Sequence, residues 1–352
     1  MIAEFNTAVA GQEWPFWLDI ELDGQALAFV LFCTLASACI SGFIPAWRGS
    51  RLNVWGVLKE ESRGQRRNRL GPGLVIAEVA LSSTLLVGAV LMVRTLVNLS
   101  AVEFEFDTER VYAGRVTLLA SAYPGWEELD AAWSEIERRL ESEPLVSAAA
   151  AADRAPGFEW AGMKRYAVDG DIFDKAQSQP AARRVRVTPG FFDTLDVGPL
   201  AGRLLRASDR RDAEPVAVIN QSLAERHWPG GQAVGQSLRV GDASSQQPWR
   251  TIVGVVPDLH AGGPSDQSPE AFYLPFEQSM TRSAVLLVKT RGPLADAVLP
   301  IRDAMARFNA DVPVYFGGAL EQKIHEQLFF YRMVGSIFGL FADTALLLAA
   351  TG

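Results

Sequence analysis

Chemistry requires nucleophiles, acid–base groups or metal ligands at short, fixed spacings, and this 352-residue chain offers few. Its three histidines, His227, His260 and His325, are scattered and form no H-x-x-H or H-E-x-x-H pattern, so a zinc centre has no support. Asp258 stands two residues from His260, a spacing that puts both on one face of a strand or leaves both in a solvated loop. No G-x-S-x-G elbow presents a serine, and no G-x-x-x-x-G-K-S/T loop would cradle nucleotide phosphates. The glycine-rich stretches GPGLVIAE (71–78) and WPGGQAVGQ (228–236) lack the required Lys-Ser/Thr and read as turns. The residues therefore predict no catalytic set, no metal and no cofactor: a protein that is not an enzyme.

Two carboxylates stand out for their surroundings. Glu78 and Asp343 each interrupt an otherwise apolar run, where an ionised carboxylate costs roughly 2.5–3.5 kcal/mol at mid-bilayer. They are candidates for a proton or ion relay or, alternatively, for hydrogen bonds between helices, and Glu78 lies near enough to a helix end to reach the headgroups. Cys33 and Cys39 are six residues apart in one predicted helix, about 600° of rotation, so they face different ways and are not expected to pair.

The elements around these residues decide their meaning. The formal charge of −8 argues against nucleic acid as a partner, and the hydrophobic fraction of 49% is ordinary, but the apolar residues are segregated. Windows 27–46, 74–93 and 333–352 are each about twenty residues long, matching the roughly 30 Å hydrocarbon layer. Any one could be a buried helix of a soluble domain; three together predict a membrane protein. Between the first two runs PAWRGSRLNVWGVLKEESRGQRRNRLGPG (45–73), where Arg48, Arg51, Lys59, Arg63, Arg66, Arg67 and Arg69 face only Glu60 and Glu61. Short basic loops stay on the cytoplasmic side, so this link is predicted inside and the large following segment outside. No Lys or Arg precedes Arg48, so Met1 does not open a secretory signal, and an acidic, outward-facing start predicts a piece of a longer polytopic protein.

The soluble stretch reads as α+β. RVYAGRVTL (110–118) predicts a strand. A helix follows with Leu129, Ala132, Trp133, Ile136 and Leu140 on one face, then LVSAAAAA (145–152) as a second strand. The order recurs late in the chain: SAVLLVKT (283–290), a helix bearing Leu294, Ala297, Ile301 and Met305 with Pro300 as a potential kink, then DVPVYFGG. Two β-α-β units bracketing a middle of short strands and Gly/Pro turns predict a split, ferredoxin-like lobe with a β-rich lobe inserted.

Three quoted stretches resemble one family. LVIAEVALSSTLLVGAVLMVRTLVNLSAVEFEFDTERV (74–111) is similar to the first helix and exit of an FtsX/MacB-type ABC transporter permease. The run from TPGFFDTLDVG (188–198) through WRTIVGVVPDL (249–259) resembles the MacB-like periplasmic core domain. FIPAWRGSRLNVWGVLKEESRG (43–64) resembles the cytoplasmic end of a preceding permease unit, as in permeases whose unit occurs twice.

The resemblance implies a multi-pass inner-membrane protein with a large extracytoplasmic domain, partnered by an ABC ATPase subunit and by membrane lipids, with a second permease unit or a homodimer as a further partner. The implied layout is an extracytoplasmic segment (1–25), a transmembrane helix (26–47), a basic cytoplasmic link (48–70), a second helix (71–100), the periplasmic core (105–327) and a third helix (331–352). Within the core, 105–185 and 283–327 form the α+β lobe and 186–282 the inserted β lobe. The implied function is conversion of ATP hydrolysis in the partner into movement of the extracytoplasmic domain, for efflux or mechanotransmission. The amphipathic stretch of the link, with Arg48, Arg51, Val54, Trp55, Leu58 and Lys59, is then the candidate contact with the ATPase, or an interfacial anchor with no partner. The chain departs from the family pattern at Asp343 and in carrying only parts of the flanking helix sets. The alternative is a membrane-anchored extracytoplasmic ligand-binding or sensor module without an ATPase. A tethered hydrolase is disfavoured by the missing motif.

Overall fold

Alternation writes itself into β2 (Val146–Ala152), the alanine strand: Ala149 and Ala151 pack into one hydrophobic cluster and Ala150 and Ala152 into another. Side chains alternate across a strand, and alanine on both faces lets helices approach closely from either side. The structure is a computed structural model. It describes scattered residues of 28–39 and 76–97, residues 104, 106 and 108–344 apart from 158–160, 170–178, 243–244 and 262–268, and the backbone alone at 327–332 and 345–351.

β2 belongs to a lobe in which β1 (Val111–Thr117), α1 (Trp126–Glu141) and β2 form one unit. β10 (Ser283–Thr290), α4 (Leu294–Phe308) and β11 (Val314–Ala319) form the other, and α4 continues through Pro300. The strand order β11-β1-β10-β2, antiparallel throughout, interleaves the two units in the ferredoxin-like manner. α1 buries Leu129, Ala132, Trp133, Ile136 and Leu140, the face its spacing predicts. Its acidic first turn (Glu127, Glu128) and basic last turn (Arg138, Arg139) suit the helix dipole.

The second lobe is a closed ring. β3 (Met163–Val168), β4 (Ala181–Val187), β6 (Val216–Asn220), β7 (Ser237–Val240), β8 (Trp249–Val256) and β9 (Ala271–Pro275) pair as β4-β3-β7-β8-β6-β9 and back to β4. α2 (Phe191–Thr194) follows β4, and α3 (Gln221–His227) follows β6. Two-residue β5 (Ala201–Gly202) runs beside β8 so closely that a Cβ on Gly254 would lie 2.0 Å from the Arg203 carbonyl oxygen. The ring recruits β3 and β4 from the stretch ahead of residue 186, which the sequence groups with the α+β lobe. Parallel pairing of β4 with β9, distant in sequence, is what closes it.

The lobes meet where β2 reaches β4, through a single ladder pair, Ala152↔Val187. Asp153 braces this seam: its carboxylate accepts the Arg186 amide (2.8 Å) and Arg186 Nε (2.7 Å) with little exposure of either side chain.

By contact the chain divides into units Met1–Val75 and Ile76–Gly352. In the first, the described residues between 28 and 39 are helical, with Phe29, Leu31, Phe32 and Leu35 exposed; Cys39 is a free, exposed thiol, and Cys33 lies outside the described residues. In the second, the described residues between 76 and 97 are helical, and Thr84 and Thr95 return their hydroxyls to the carbonyls of Ala80 and Leu91 at 2.8 Å. Such back-bonding hides a hydroxyl in apolar surroundings. The chain's last helix, α5 (Leu320–Thr351), passes Phe338 beside Gly88, where an added Cβ would sit 3.6 Å from the ring. Among the described residues, no helix is long and apolar enough to cross a membrane.

Candidate functional site: the joint between the helices and the central domain

Most residues singled out from sequence lie outside the described residues: Arg48, Arg51, Val54, Trp55, Leu58 and Lys59 of the basic link, and Glu78. Asp343 is described. It is exposed on α5, next to buried Ala342.

Asp258 and His260 part company in the structure. Asp258 caps the corner between β6 and α3, accepting Asn220 Nδ2, the Ser222 hydroxyl and the Ser222 amide (3.1 Å). Asn220, fully buried, is the hub of this corner: Nδ2 also donates to the Pro269 carbonyl (2.6 Å), and Oδ1 accepts the amides of Ala271 (2.8 Å) and Leu223 (3.3 Å). The last bond is the N-cap of α3, legible in the run NQSLAERH; the other partners come from distant segments. His260, two residues on, has a positive φ of 47° and sets its ring edge-on to Phe104, centroids 5.5 Å apart. The pair forms no acid–base couple, because a turn between them sends the side chains apart. Among the described residues no cluster of three or more His, Cys, Asp or Glu could hold a metal.

What the His260 turn does build is a joint. Phe104 and Phe106, at the exit of the 76–97 helix, and Leu320 and Ile324, in the first turns of α5, enter one core with Ala155, Ala161, Leu259 and Ala261. The two connectors are tied to each other by the Glu321 amide donating to the Thr108 carbonyl (3.1 Å). The stretch they pack on, with Ala155, Gly157 and Ala161, is tied to the 260–261 turn by the Gly157 amide on the His260 carbonyl (3.1 Å) and the Ala161 amide on that of Ala261 (3.0 Å). Gly157 has φ +80°, and a Cβ there would stand 2.8 Å from Ile324 Cδ1 and 2.9 Å from Phe104 Cε1. Only glycine satisfies both the backbone and the space. Burial of Leu320 and Ile324 contributes roughly 1.5–3 kcal/mol each, enough to make the first turns of α5 part of the domain.

A second feature lies on the barrel: a groove of about 560 Å3 between α3, β5 and the 228–234 loop, floored by Trp228 and Ala224, with Leu200 and Val234 at its rim and Glu225 at its edge. Its volume falls within the range of small-molecule sites, though it is open to solvent and Gln221, Glu225 and Gln232 share its lining.

A fold of this kind, entered and left by adjoining helices, matches a family model described as the MacB-like periplasmic core domain, over residues 73–302. The chain belongs to that family. The family is that of ABC-type transporter permease components, and its kind of partner is an ABC ATPase. Solved structures similar to it include the periplasmic region of MacB from Actinobacillus actinomycetemcomitans (12% identity, TM-score 0.42, covering 61% of this chain and 91% of that one). Another is the extracellular domain of the noncanonic ABC-type transporter YknZ from Gram-positive bacteria (15% identity, TM-score 0.37, covering 58% and 98%). No curated protein matches the sequence.

The membership agrees with the family expected from residues 74–111 and 188–259. Sequence reasoning did not find the joint itself. Gly157 sits in APGFEW, which reads as an ordinary turn, and nothing local says that Ile324 and Phe104 will close over it.

Proposed function

We propose that this chain is a permease subunit that couples ATP hydrolysis by a partner ATPase to movement of its extracytoplasmic domain. One observation carries the reading. α5 is continuous from Leu320, buried in the domain core, to Thr351, about 48 Å at 1.5 Å per residue, and runs on into the apolar window 333–352. A displacement of the apolar helices would reach the domain through a rigid rod and a packed joint rather than a loop. In this reading windows 27–46, 74–93 and 333–352 span the inner membrane and the 48–70 link lies in the cytoplasm. Its stretch with Arg48, Arg51, Val54, Trp55, Leu58 and Lys59 meets the ATPase, while Glu78 and Asp343 face helix partners.

The test uses the full chain, Cys33 and Cys39 replaced by serine, in lipid nanodiscs with its ATPase, and spin labels at Leu200→Cys and Ile337→Cys. The label distance is expected to change on adding ATP. In Gly157→Val the change is expected to vanish while hydrolysis persists, because the added side chain pushes Ile324 and Phe104 out of the joint. An ATP-independent distance in the unaltered joint sinks the mechanical reading. Separately, Arg48→Glu with Arg51→Glu is expected to reduce recovery of the ATPase on co-purification about tenfold, some 1.4 kcal/mol. Undiminished recovery removes the coupling role of the link.

The groove beside Trp228 favours a second reading, a ligand-sensing module that needs no ATPase. An unchanged signal output on deleting the ATPase would select it.

A further inference from the structure

The seam between the lobes carries one carboxyl that neither the joint nor the fold requires. Glu137 projects from α1 toward the point where β2 parts from its last partner, half-buried, its Oε1 accepting the Ala151 amide at 3.1 Å. The same amide also donates to the Thr188 hydroxyl (2.9 Å), and the Thr188 amide donates back to the Ala151 carbonyl (2.9 Å). Ala151 and Thr188 flank Ala152↔Val187, the single ladder pair joining the ferredoxin-like lobe to the barrel. Glu137 therefore rests on the few backbone bonds that hold the lobes in register.

The groups facing it supply two hydrogen-bond donors but, among the described residues, no cation. From α1 the neighbours are Glu141 and Asp130, both acidic; from β2 and the turn before α2 they are the neutral Ala151 amide and Thr188 hydroxyl. Asp153, the next charge along β2, is committed to Arg186.

We infer that Glu137 is a protonation-dependent latch on the inter-lobe seam, closed when the carboxyl is neutral and loosened when it ionises. Burial first, then repulsion from Glu141 and Asp130, outweigh the bonds from Thr188 and Ala151 and push the carboxyl up to about 7 from its ordinary 4.5. The sign follows: the seated form holds its proton more tightly than an open, hydrated form. Closure is thus fully favoured below about pH 4.5 and that advantage is lost as pH rises through about 7. Ionisation draws α1 toward water and away from the end of β2, from which the chain passes directly to Ala155 and Gly157 in the joint. The inference concerns the domain alone and stands or falls without the ATPase.

Native-state hydrogen exchange of the full chain in nanodiscs, corrected for intrinsic rates, tests it. Protection of the Ala151 and Thr188 amides is expected to fall about tenfold between pH 6 and pH 8, the factor that linkage assigns to such a shift. In Glu137→Gln that fall is expected to disappear, with protection at pH 8 close to that of the unaltered protein at pH 6. Flat protection in the unaltered protein, or an undiminished slope in Glu137→Gln, overturns the latch. Should Glu137→Gln not fold, Glu141→Gln decides. Removing that neighbour is expected to favour ionisation and move the midpoint to lower pH, and an unmoved midpoint overturns the proposal.

Discussion

Asn220→Ala is expected to lower the stability of the periplasmic core domain by about 3–5 kcal/mol, one of the two largest effects of a single substitution that the structure supports. The side chain is fully buried and serves four partners at once: Asp258, the Pro269 carbonyl and the amides of Leu223 and Ala271. Each bond is worth about 1 kcal/mol net, but a partner left buried without a replacement costs its desolvation as well. Losing the N-cap alone accounts for roughly 1 kcal/mol of the total. The consequence reaches beyond the barrel corner, because Asp258 anchors the turn whose next residues, Leu259 to Ala261, form the wall of the joint. Urea unfolding followed by tryptophan fluorescence measures the loss. Ser222→Ala, which removes one hydroxyl bond to Asp258, serves as the scale and should cost about 1 kcal/mol. A loss for Asn220→Ala no greater than that of Ser222→Ala would show that the corner is not a network.

Asp153→Ala should be comparably costly, about 3–5 kcal/mol, for an electrostatic reason. Asp153 is 5% exposed, and its carboxylate both neutralises Arg186 and accepts the Arg186 amide. Without it the Arg186 guanidinium keeps, among the described residues, long contacts to the carbonyls of Ser279 (3.4 Å) and Met280 (3.3 Å). The neighbourhood is already crowded with cations: burial first, then repulsion from Arg186 and Arg154, holds Arg184 below the usual guanidinium range, and Asp153 is the group that offsets this. Removing the anion therefore strands more than one positive charge in a poorly hydrated seam. The double variant Asp153→Ala with Arg186→Leu separates the causes. If the cost is the unpaired charge, most of the stability returns, since apolar replacements of a buried pair are often neutral or better. If the double variant remains as unstable as the single one, the seam depends on the Arg186 amide bond and on packing rather than on charge.

The amino-acid sequence by itself determined the local elements and the kind of protein. The faces of α1 and α4, the alanine strand β2 and the strand at 283–290 are set by near-neighbour periodicity, which local sterics impose within a few residues. The family was legible because its motifs are runs of adjacent residues. Only the tertiary structure decided that β3 and β4 join the barrel, that Asp258 and His260 turn in opposite directions, and that Gly157 is clasped by Phe104 and Ile324. It alone set Glu137 on the seam. Each of these depends on pairing or contact between segments separated by tens to more than a hundred residues. A turn or a glutamate looks the same in sequence whether it faces water or a closing core, and the free energy that distinguishes the two arises only when the distant partner arrives.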